Sequence, residues 1–410
     1  MIVLIFAILL FNAVVPTKWL RLGGISLGDW VAVLGYATAA LYWLSPARAQ
    51  VRKSEAIWLL CTATVSLSVF SCWAAGGEAK YMLENGRQIL HYLFFIPLVC
   101  LATDRARLLR VLKIYLGIAL AAAALLNLYH FLPWLVNWDV GTGDIWEAAD
   151  GVIRIFTPGM HYVFLALLGL MAYIPSSRGR GSLACGIAGT VMLSALAWTG
   201  IRAYFVILAV CLGALFVILG LTRRARRSFG LAGAVLFCAG IAGGLFFDAA
   251  GAIGTRVVTL AGLRDTPFTE FDTIGWRFLD AGNALSMVEG PREWLFGVFA
   301  KPYASEAWFG ATPHIAYVGA IYHFGLLGTL CLAWLVAGIS RRLARHLVGL
   351  ARHKVYDPFI AAASLVWLGL LLHSFVGGTF ASGPAIITLT IVHFISVLPE
   401  RQWYAPSPNL

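Results

Sequence analysis

Several basic side chains lie where an apolar segment of the chain begins or ends, and Arg202 is the first of them to consider. It lies in a short connection between two apolar runs, so its guanidinium is held at or just below a membrane interface. A charged group at that depth is costly and by default marks a functional site. A long arginine can also anchor a helix end by extending to the interface. The sequence leaves both interpretations open.

Arg277, His314 and Arg154 occupy comparable positions. Arg277 lies in a stretch with helical spacing, where a local ion pair with Asp280 is the plainer interpretation. His314 directly precedes an apolar run and is either an interfacial polar residue or a functional residue of the site. Because histidine titrates near neutral pH, the working roles are a general base and a phosphate-binding imidazole. Arg154 and His161 flank the start of another run, where interfacial anchoring is the alternative.

The elements that must position these residues are membrane helices. Of the 410 residues, 60% are hydrophobic and 12% are charged, whereas a soluble domain has about 25% charged residues. We therefore predict an all-α polytopic membrane protein with a single integral membrane domain over residues 1–410. A span needs roughly 20 mostly apolar residues. The twelve predicted spans are about 1–15, 29–45, 55–75, 88–103, 111–133, 159–175, 182–199, 203–221, 229–248, 315–338, 358–376 and 383–399.

The distribution of lysine and arginine predicts the orientation of these spans. With the N-terminus in the cytoplasm, the cytoplasmic loops hold 19 of the 30 basic residues and only four acidic ones. The opposite side then carries 11 basic and 15 acidic residues. Both termini are predicted to be cytoplasmic. Since topology accounts for the net charge of +11, we predict contacts with membrane lipids and no nucleic-acid partner.

Two non-cytoplasmic loops are longer than simple connections, about 134–158 and 249–314. Connections in helix bundles usually have 2–8 residues, and longer structured loops are usually functional. The second loop lies between the predicted ninth and tenth spans, and we predict that it is the catalytic loop. Within it, residues 276–285 have apolar positions at helical spacing, which favours a short helix lying at the membrane interface.

Several common signatures of chemistry are missing. None of the seven cysteines forms a Cys-x-x-Cys pair, so neither a metal site nor a disulfide framework is indicated. The chain also lacks a P-loop, a dinucleotide glycine fingerprint, a His-Glu-x-x-His helix, a Gly-x-Ser-x-Gly elbow and an Asp-x-Asp pair. We therefore expect no cofactor and no metal.

Taken together, the candidate residues resemble the O-antigen ligase family, which shares a superfamily with the O-antigen polymerases. The resemblance is carried by Thr199-Gly200-Ile201-Arg202, by Arg277 upstream of Pro291-Arg292-Glu293-Trp294-Leu295-Phe296-Gly297-Val298, by His314 followed by Gly325 and Gly328, and less closely by Arg154-Ile155-Phe156-Thr157-Pro158-Gly159. The chain departs from the family pattern at four positions. Ile201 and Ala203 flank the arginine where the family has serine and glycine, and Ile315 follows the histidine where the family has asparagine. Phe299 stands where the family has the second glycine of a Gly-x-Gly. The resemblance covers roughly residues 150–335.

The resemblance implies a glycosyltransferase of the bacterial inner membrane whose active site faces the periplasm. It would move a glycan from undecaprenyl diphosphate to lipid A-core oligosaccharide in lipopolysaccharide biosynthesis. The implied catalytic residues are His314, Arg277 and Arg202, and the implied diphosphate-binding residues are Arg202, Arg277 and Arg154. Arginine suits this task because its planar fork binds phosphate oxygens bidentately and keeps its proton. His314 either deprotonates the acceptor hydroxyl or holds the diphosphate.

Three other functions remain open. An O-antigen polymerase would use the same donor with a carrier-linked glycan as acceptor. A glycolipid transporter would need intramembrane charges and pseudo-symmetric halves, and neither is evident in the sequence. A protein O-oligosaccharyltransferase would use a serine acceptor, but we expect no large periplasmic addition after the last span.

Overall fold

The protein is described here from a computed structural model. The described residues are 21–22, 25–26, 30, 33–34, 36–37, 40–41, 53–76, 92–93, 105–131, 145–147, 153–155, 158–177, 180–198, 202–222, 281–298, 315–375 and 383–398. Within these ranges the chain is nearly all helical. The predicted spans 1–15 and 229–248, most of 29–45 and 88–103, and the two chain termini lie outside them.

The helices follow the apolar runs of the sequence. They are α1 (Lys53–Ala74), α2 (Arg105–Phe131), α3 (Pro158–Tyr173), α4 (Arg180–Trp198), α5 (Arg202–Leu221), α6 (Pro291–Phe296), α7 (Ala316–His353), α8 (Pro358–His373) and α9 (Gly383–Val397). A 3-10 turn, Ile174–Ser176, follows α3, and residues 281–286 are also helical. Two antiparallel pairs of short strands complete the described part: β1 (Arg21–Leu22) with β2 (Ile25–Ser26), and β3 (Ile145–Glu147) with β4 (Ile153–Ile155).

Helices α3, α8 and α9 form the centre of the bundle. Helix α3 contacts α2, α4, α5, α8 and α9, and its residues 162–168 are all buried. A helix that is apolar on every side is typical of the interior of a membrane bundle. Helices α1, α4 and α5 instead expose large apolar side chains, such as Phe70, Leu183 and Val206. These outward faces are suited to lipid.

Small residues allow α3 and α8 to approach closely. A Cβ on Gly369 of α8 would overlap the side chain of Leu168, and the Cα of Gly169 faces Ala362 and Val366. Packing through small residues is the usual way for helices to associate where water supplies no hydrophobic driving force. Helix α5 joins the same centre, where the Cys211 thiol lies 3.7 Å from the Leu365 carbonyl.

Four of the described helices are long and apolar enough to cross a membrane: Arg105–Leu128, Arg180–Ala197, Ala203–Leu221 and Ala316–His353. The membrane-protein prediction is therefore confirmed in its general form. Helix α7 is longer than the span predicted over 315–338, because it continues to His353. Leu343, His346 and Leu350 keep one face of this extension buried, so packing sustains the helix beyond its most apolar part.

No intramembrane charge is evident in the sequence, but the structure buries three histidines, which can ionise, in α7 and α9. His323 and His346 of α7 and His393 of α9 are at most 5% exposed. A neutral imidazole can be buried at a much lower cost than a carboxylate or an ammonium group. Among the described residues, the buried ionisable side chains of α7 and α9 are therefore imidazoles rather than carboxylates.

Helix α7 is interrupted at Gly325, where the segment containing α6 packs against it. Gly325 (φ 63°, ψ −171°) and Gly297 (φ 83°, ψ 176°) both adopt a conformation that is essentially restricted to glycine. A Cβ on Gly325 would overlap the backbone of Leu295 and Gly297. The Val298 amide donates to the Tyr322 carbonyl at 2.7 Å, which satisfies a group at the interruption.

We predict that Gly325→Ala destabilises the protein by about 3 kcal/mol or more, because it adds backbone strain of roughly 1–3 kcal/mol to an overlap with backbone atoms. The measurement is thermal or denaturant unfolding of the purified protein in detergent. Gly117→Ala is the matched control, because a Cβ at Gly117 in α2 meets nothing within 4 Å. That variant should be neutral or stabilised by up to about 1 kcal/mol. Equal effects of the two substitutions would contradict the proposed contact.

Candidate functional site

One end of the bundle, here called the Ser374 end, is where α3, α5 and α7 begin and α8 ends. The antiparallel packing of α3 against α8 brings the first turn of one helix beside the last turn of the other. The start of α7 is attached at the same place, because the Ala316 amide donates to the Ser374 carbonyl at 2.9 Å. Three helix starts and one helix end therefore meet at this end of the protein.

A cluster of aromatic and polar side chains lies at the Ser374 end. The Tyr204 hydroxyl of α5 lies 2.7 Å from Nδ1 of His161 in α3. The His161 ring meets the His373 ring of α8 edge to face, with centroids 5.0 Å apart. Tyr204 stacks on His373 on one side, at 5.7 Å, and on Phe164 on the other, at 4.5 Å. We call His161, Tyr204 and His373 the His–Tyr–His cluster.

The His–Tyr–His cluster fixes the orientation of polar groups at the end of an otherwise apolar bundle. When Tyr204 donates to Nδ1 of His161, the proton of the neutral imidazole is on Nε2. Tyr204 is only 1% exposed, so its hydroxyl has little access to water and depends on His161. The cluster therefore joins the first turns of α3 and α5 through a buried polar contact as well as through apolar packing.

Arg202, one of the predicted site residues, is the first residue of α5 and lies two positions before Tyr204. The structure describes its backbone, which begins the helix at the Ser374 end, and not its side chain. The α5 start is held by the His–Tyr–His cluster and by the stack of Tyr204 on Phe164. The backbone from which the Arg202 guanidinium extends is thus anchored by neighbouring side chains.

Arg154 lies on β4, paired with Trp146 of β3. The sequence predicted that Arg154 lies in the long loop 134–158, and the strand pairing there was not predicted. Strand β4 contacts α4 and ends three residues before α3 begins. The backbone of Arg154 is therefore close in sequence to the α3 start at the Ser374 end.

His314 and Arg277 lie outside the described residues. His314 stands two positions before Ala316, the first residue of α7, whose amide contacts Ser374. Arg277 stands four positions before the helical stretch 281–286, which packs through Ala284 against Tyr322 of α7. Three of the candidates are thus close in sequence to helix starts at the Ser374 end: Arg154 to α3, Arg202 to α5 and His314 to α7.

No role was predicted for Tyr204 or His373, and His161 was named as a candidate with interfacial anchoring as the alternative. One sequence feature could have indicated His161, Tyr204 and His373: each is a polar side chain within one turn of a predicted span boundary. What sequence could not supply is the pairing, because His161 and His373 are 212 positions apart. Arg292, which the resemblance includes without a role, donates from its Nε to the Ser71 hydroxyl of α1 at 2.9 Å and so links α6 to α1.

The chain was compared with models of protein families and with curated proteins. No protein-family model matches it, and no curated protein matches it significantly. Among the described residues, no three His, Cys, Asp or Glu side chains are grouped as metal ligands would be. The functional argument therefore rests on the residues and their geometry.

We predict that Tyr204→Phe destabilises the protein by roughly 1–3 kcal/mol, because it leaves Nδ1 of His161 without its hydrogen-bond partner. The measurement is thermal unfolding of the purified protein in detergent. Tyr173→Phe is the matched control, since Tyr173 is less buried and its hydroxyl makes no hydrogen bond among the described residues. If Tyr204→Phe unfolds at the same temperature as Tyr173→Phe, the hydrogen bond does not hold α5 to α3.

Proposed function

We propose that the chain is an inverting, metal-independent glycosyltransferase of lipopolysaccharide biosynthesis. It transfers O-antigen glycan from undecaprenyl diphosphate to lipid A-core oligosaccharide on the periplasmic face of the bacterial inner membrane. Within this proposal, Arg202, Arg277 and Arg154 bind the diphosphate, and His314, Arg277 and Arg202 are the catalytic residues.

The observation that carries the proposal is the meeting of helix starts at the Ser374 end. Arg202 begins α5, β4 with Arg154 precedes α3, and α7 begins two residues after His314. The diphosphate of a lipid carrier lies at headgroup depth, so it needs cations fixed at the ends of membrane helices rather than inside them. The resemblance to O-antigen ligases supports the same residues independently of the geometry.

The proposed reaction is one direct displacement. The acceptor hydroxyl attacks the anomeric carbon of the donor sugar and gives its proton to the His314 imidazole. The bond between the anomeric carbon and the diphosphate oxygen breaks, and undecaprenyl diphosphate leaves with the bonding pair. Arginines fixed beside the leaving group would stabilise the growing charge, and one such donor contributes roughly 3–4 kcal/mol in other enzymes.

The proposal includes a topology of about twelve helices with both termini in the cytoplasm. The Ser374 end then faces the periplasm, and residues 249–314 form a periplasmic catalytic loop between the ninth and tenth spans, with short interfacial helices. The charge distribution supports this orientation, because most basic residues then lie in cytoplasmic loops. Reporter fusions after residues 226 and 262 test it: a periplasm-dependent enzyme should be active only in the second.

Deletion of the gene tests the function in the cell. We predict that the deletion strain carries bare lipid A-core and accumulates long glycan on the lipid carrier, because transfer to the core is the missing step. The measurement is gel electrophoresis of lipopolysaccharide together with analysis of carrier-linked glycan. Core bearing a single repeat would instead indicate a polymerase, and unchanged lipopolysaccharide would contradict both functions.

Complementation of the same strain tests the role of Arg202. Arg202→Lys should lower transfer at least tenfold, because lysine keeps the charge but loses the bidentate fork, and a hydrogen bond to a charged group contributes about 1.5–3 kcal/mol. Arg180→Lys is the matched control. Arg180 is also the first residue of a helix, α4, but it is exposed and lies at the opposite end of the bundle. Normal transfer by Arg202→Lys would contradict the diphosphate clamp.

The pH dependence of transfer tests the role of His314. A general base contributes roughly 10²–10⁴-fold, and activity should fall below the histidine pKa, where the imidazole is protonated. We predict that His314→Ala transfers slowly and loses this acidic limb. The measurement is the initial rate against pH for both proteins. If the mutant keeps the limb unchanged, His314 is not the base and the diphosphate-holding role is favoured.

A further inference from the structure

The exposed face of α7 changes character along its length. Leu326, Leu330 and Trp334 are 45%, 67% and 63% exposed. Arg341 and Arg345 are exposed on the same face, seven and eleven residues after Trp334. At 100° per residue these five positions lie within about 100° of one another around the helix. We call this surface the α7 stripe.

The α7 stripe passes from apolar to cationic over a short distance. Two helical turns separate Trp334 from Arg341, which is about 10 Å. Apolar side chains exposed on a membrane helix face acyl chains, and tryptophan is enriched at the boundary with the headgroups. Arg341 and Arg345 therefore lie at headgroup depth beneath an unbroken apolar surface.

The two arginines of the stripe have no acidic partner among the described residues. Arg341 and Arg345 are one turn apart, and the only hydrogen bond between them runs from the Arg345 Nε to the Arg341 carbonyl at 3.4 Å. Like charges at this spacing repel each other in an isolated helix. The ion pair found in this part of the described chain joins Arg105 to Asp357 instead. An anion at the stripe would remove the repulsion.

Arg342 lies between Arg341 and Arg345 in the sequence, and its guanidinium contacts α9 instead of pointing away from the bundle. Its positive charge adds to that of the two exposed arginines. Its Nε donates to the Ser396 hydroxyl at 3.0 Å, and its Nη2 lies 3.1 Å from Nδ1 of His393. Gly338 makes room for this guanidinium, because even a methyl group there would lie 3.4 Å from Nη1. Both partners are neutral acceptors, so the charge of Arg342 is not cancelled among the described residues.

We propose that the α7 stripe is a binding site for one anionic phospholipid. The acyl chains lie along Leu326, Leu330 and Trp334, and the phosphate binds Arg341 and Arg345 through the planar guanidinium groups. Charge and shape both favour this occupant: the site pairs two unneutralised arginines with an apolar surface that a soluble anion would leave uncovered. The site lies at the end of the bundle opposite the Ser374 end, and it is independent of the proposed glycan transfer.

Lipid titration of the full-length protein, purified in detergent, tests the proposal. The probes are phosphatidylglycerol, phosphatidylcholine and inorganic phosphate, and the readout is the apparent dissociation constant from the thermal shift. Phosphatidylglycerol should bind most tightly. Arg341→Gln and Arg345→Gln should each weaken it roughly fivefold and together roughly thirtyfold, since one arginine near an anionic surface contributes about 1 kcal/mol.

Arg180→Gln is the matched control, because Arg180 is exposed at the same end but lies on α4, away from the stripe. It should leave binding unchanged, and all variants should unfold at the wild-type temperature without lipid. Three results would overturn the proposal: equal binding of phosphatidylcholine, an equal loss in Arg180→Gln, or an equal shift with inorganic phosphate that is lost in the same variants. The last would indicate a site for a free anion.

Discussion

Gly369 leaves the surface of α8 open to Leu168, and Gly169 of α3 lies opposite Ala362, so α3 and α8 pack closely and antiparallel. This contact decides which parts of the chain meet at each end of the bundle. At one end it brings His161 to His373, and α5 joins them through Tyr204. At the other end the Tyr356 hydroxyl donates to the Ala172 carbonyl. The proposed site depends on this packing because the backbone of Arg202 begins α5, which joins the same contact, and the strand of Arg154 ends shortly before α3.

The two ends of the bundle are chemically different in a way that fits a membrane enzyme. The Ser374 end collects imidazole and phenol groups beside helix starts. The opposite end holds the buried Asp357, which caps α8 by accepting from the Phe359 and Ile360 amides and pairs with Arg105 at 2.8 Å. It also carries the arginines of α7. Among the described residues, one end thus carries imidazole and phenol groups in contact with one another, and the other carries the Arg105–Asp357 ion pair and exposed arginines.

The apolar runs predicted much of the described helical structure, since α1 to α5 and α7 to α9 each begin within six residues of a predicted span. Hydropathy marks where a helix can start, but it missed the end of α7, where Leu343 and Leu350 find partners that only the fold provides. The interruption of α7 at Gly325 was not predicted. A glycine in an apolar run is compatible with a helix, and the close approach of Gly297 that interrupts the helix is known only from the fold. Arg202 was proposed as a site residue from its position alone, whereas the contact of Tyr204 with His161, which holds the start of α5, could be seen only once α5 was paired with α3.

The central claim is that this chain itself transfers a glycan from a lipid diphosphate. The most direct measurement is transfer in detergent by the purified protein, using a defined undecaprenyl-diphosphate-linked glycan and offering lipid A-core, a second carrier-linked glycan and a pilin-like protein in turn. The proposed function predicts glycan on lipid A-core, with inverted anomeric configuration and no effect of a metal chelator. A folded protein that transfers glycan to none of the three acceptors would contradict it.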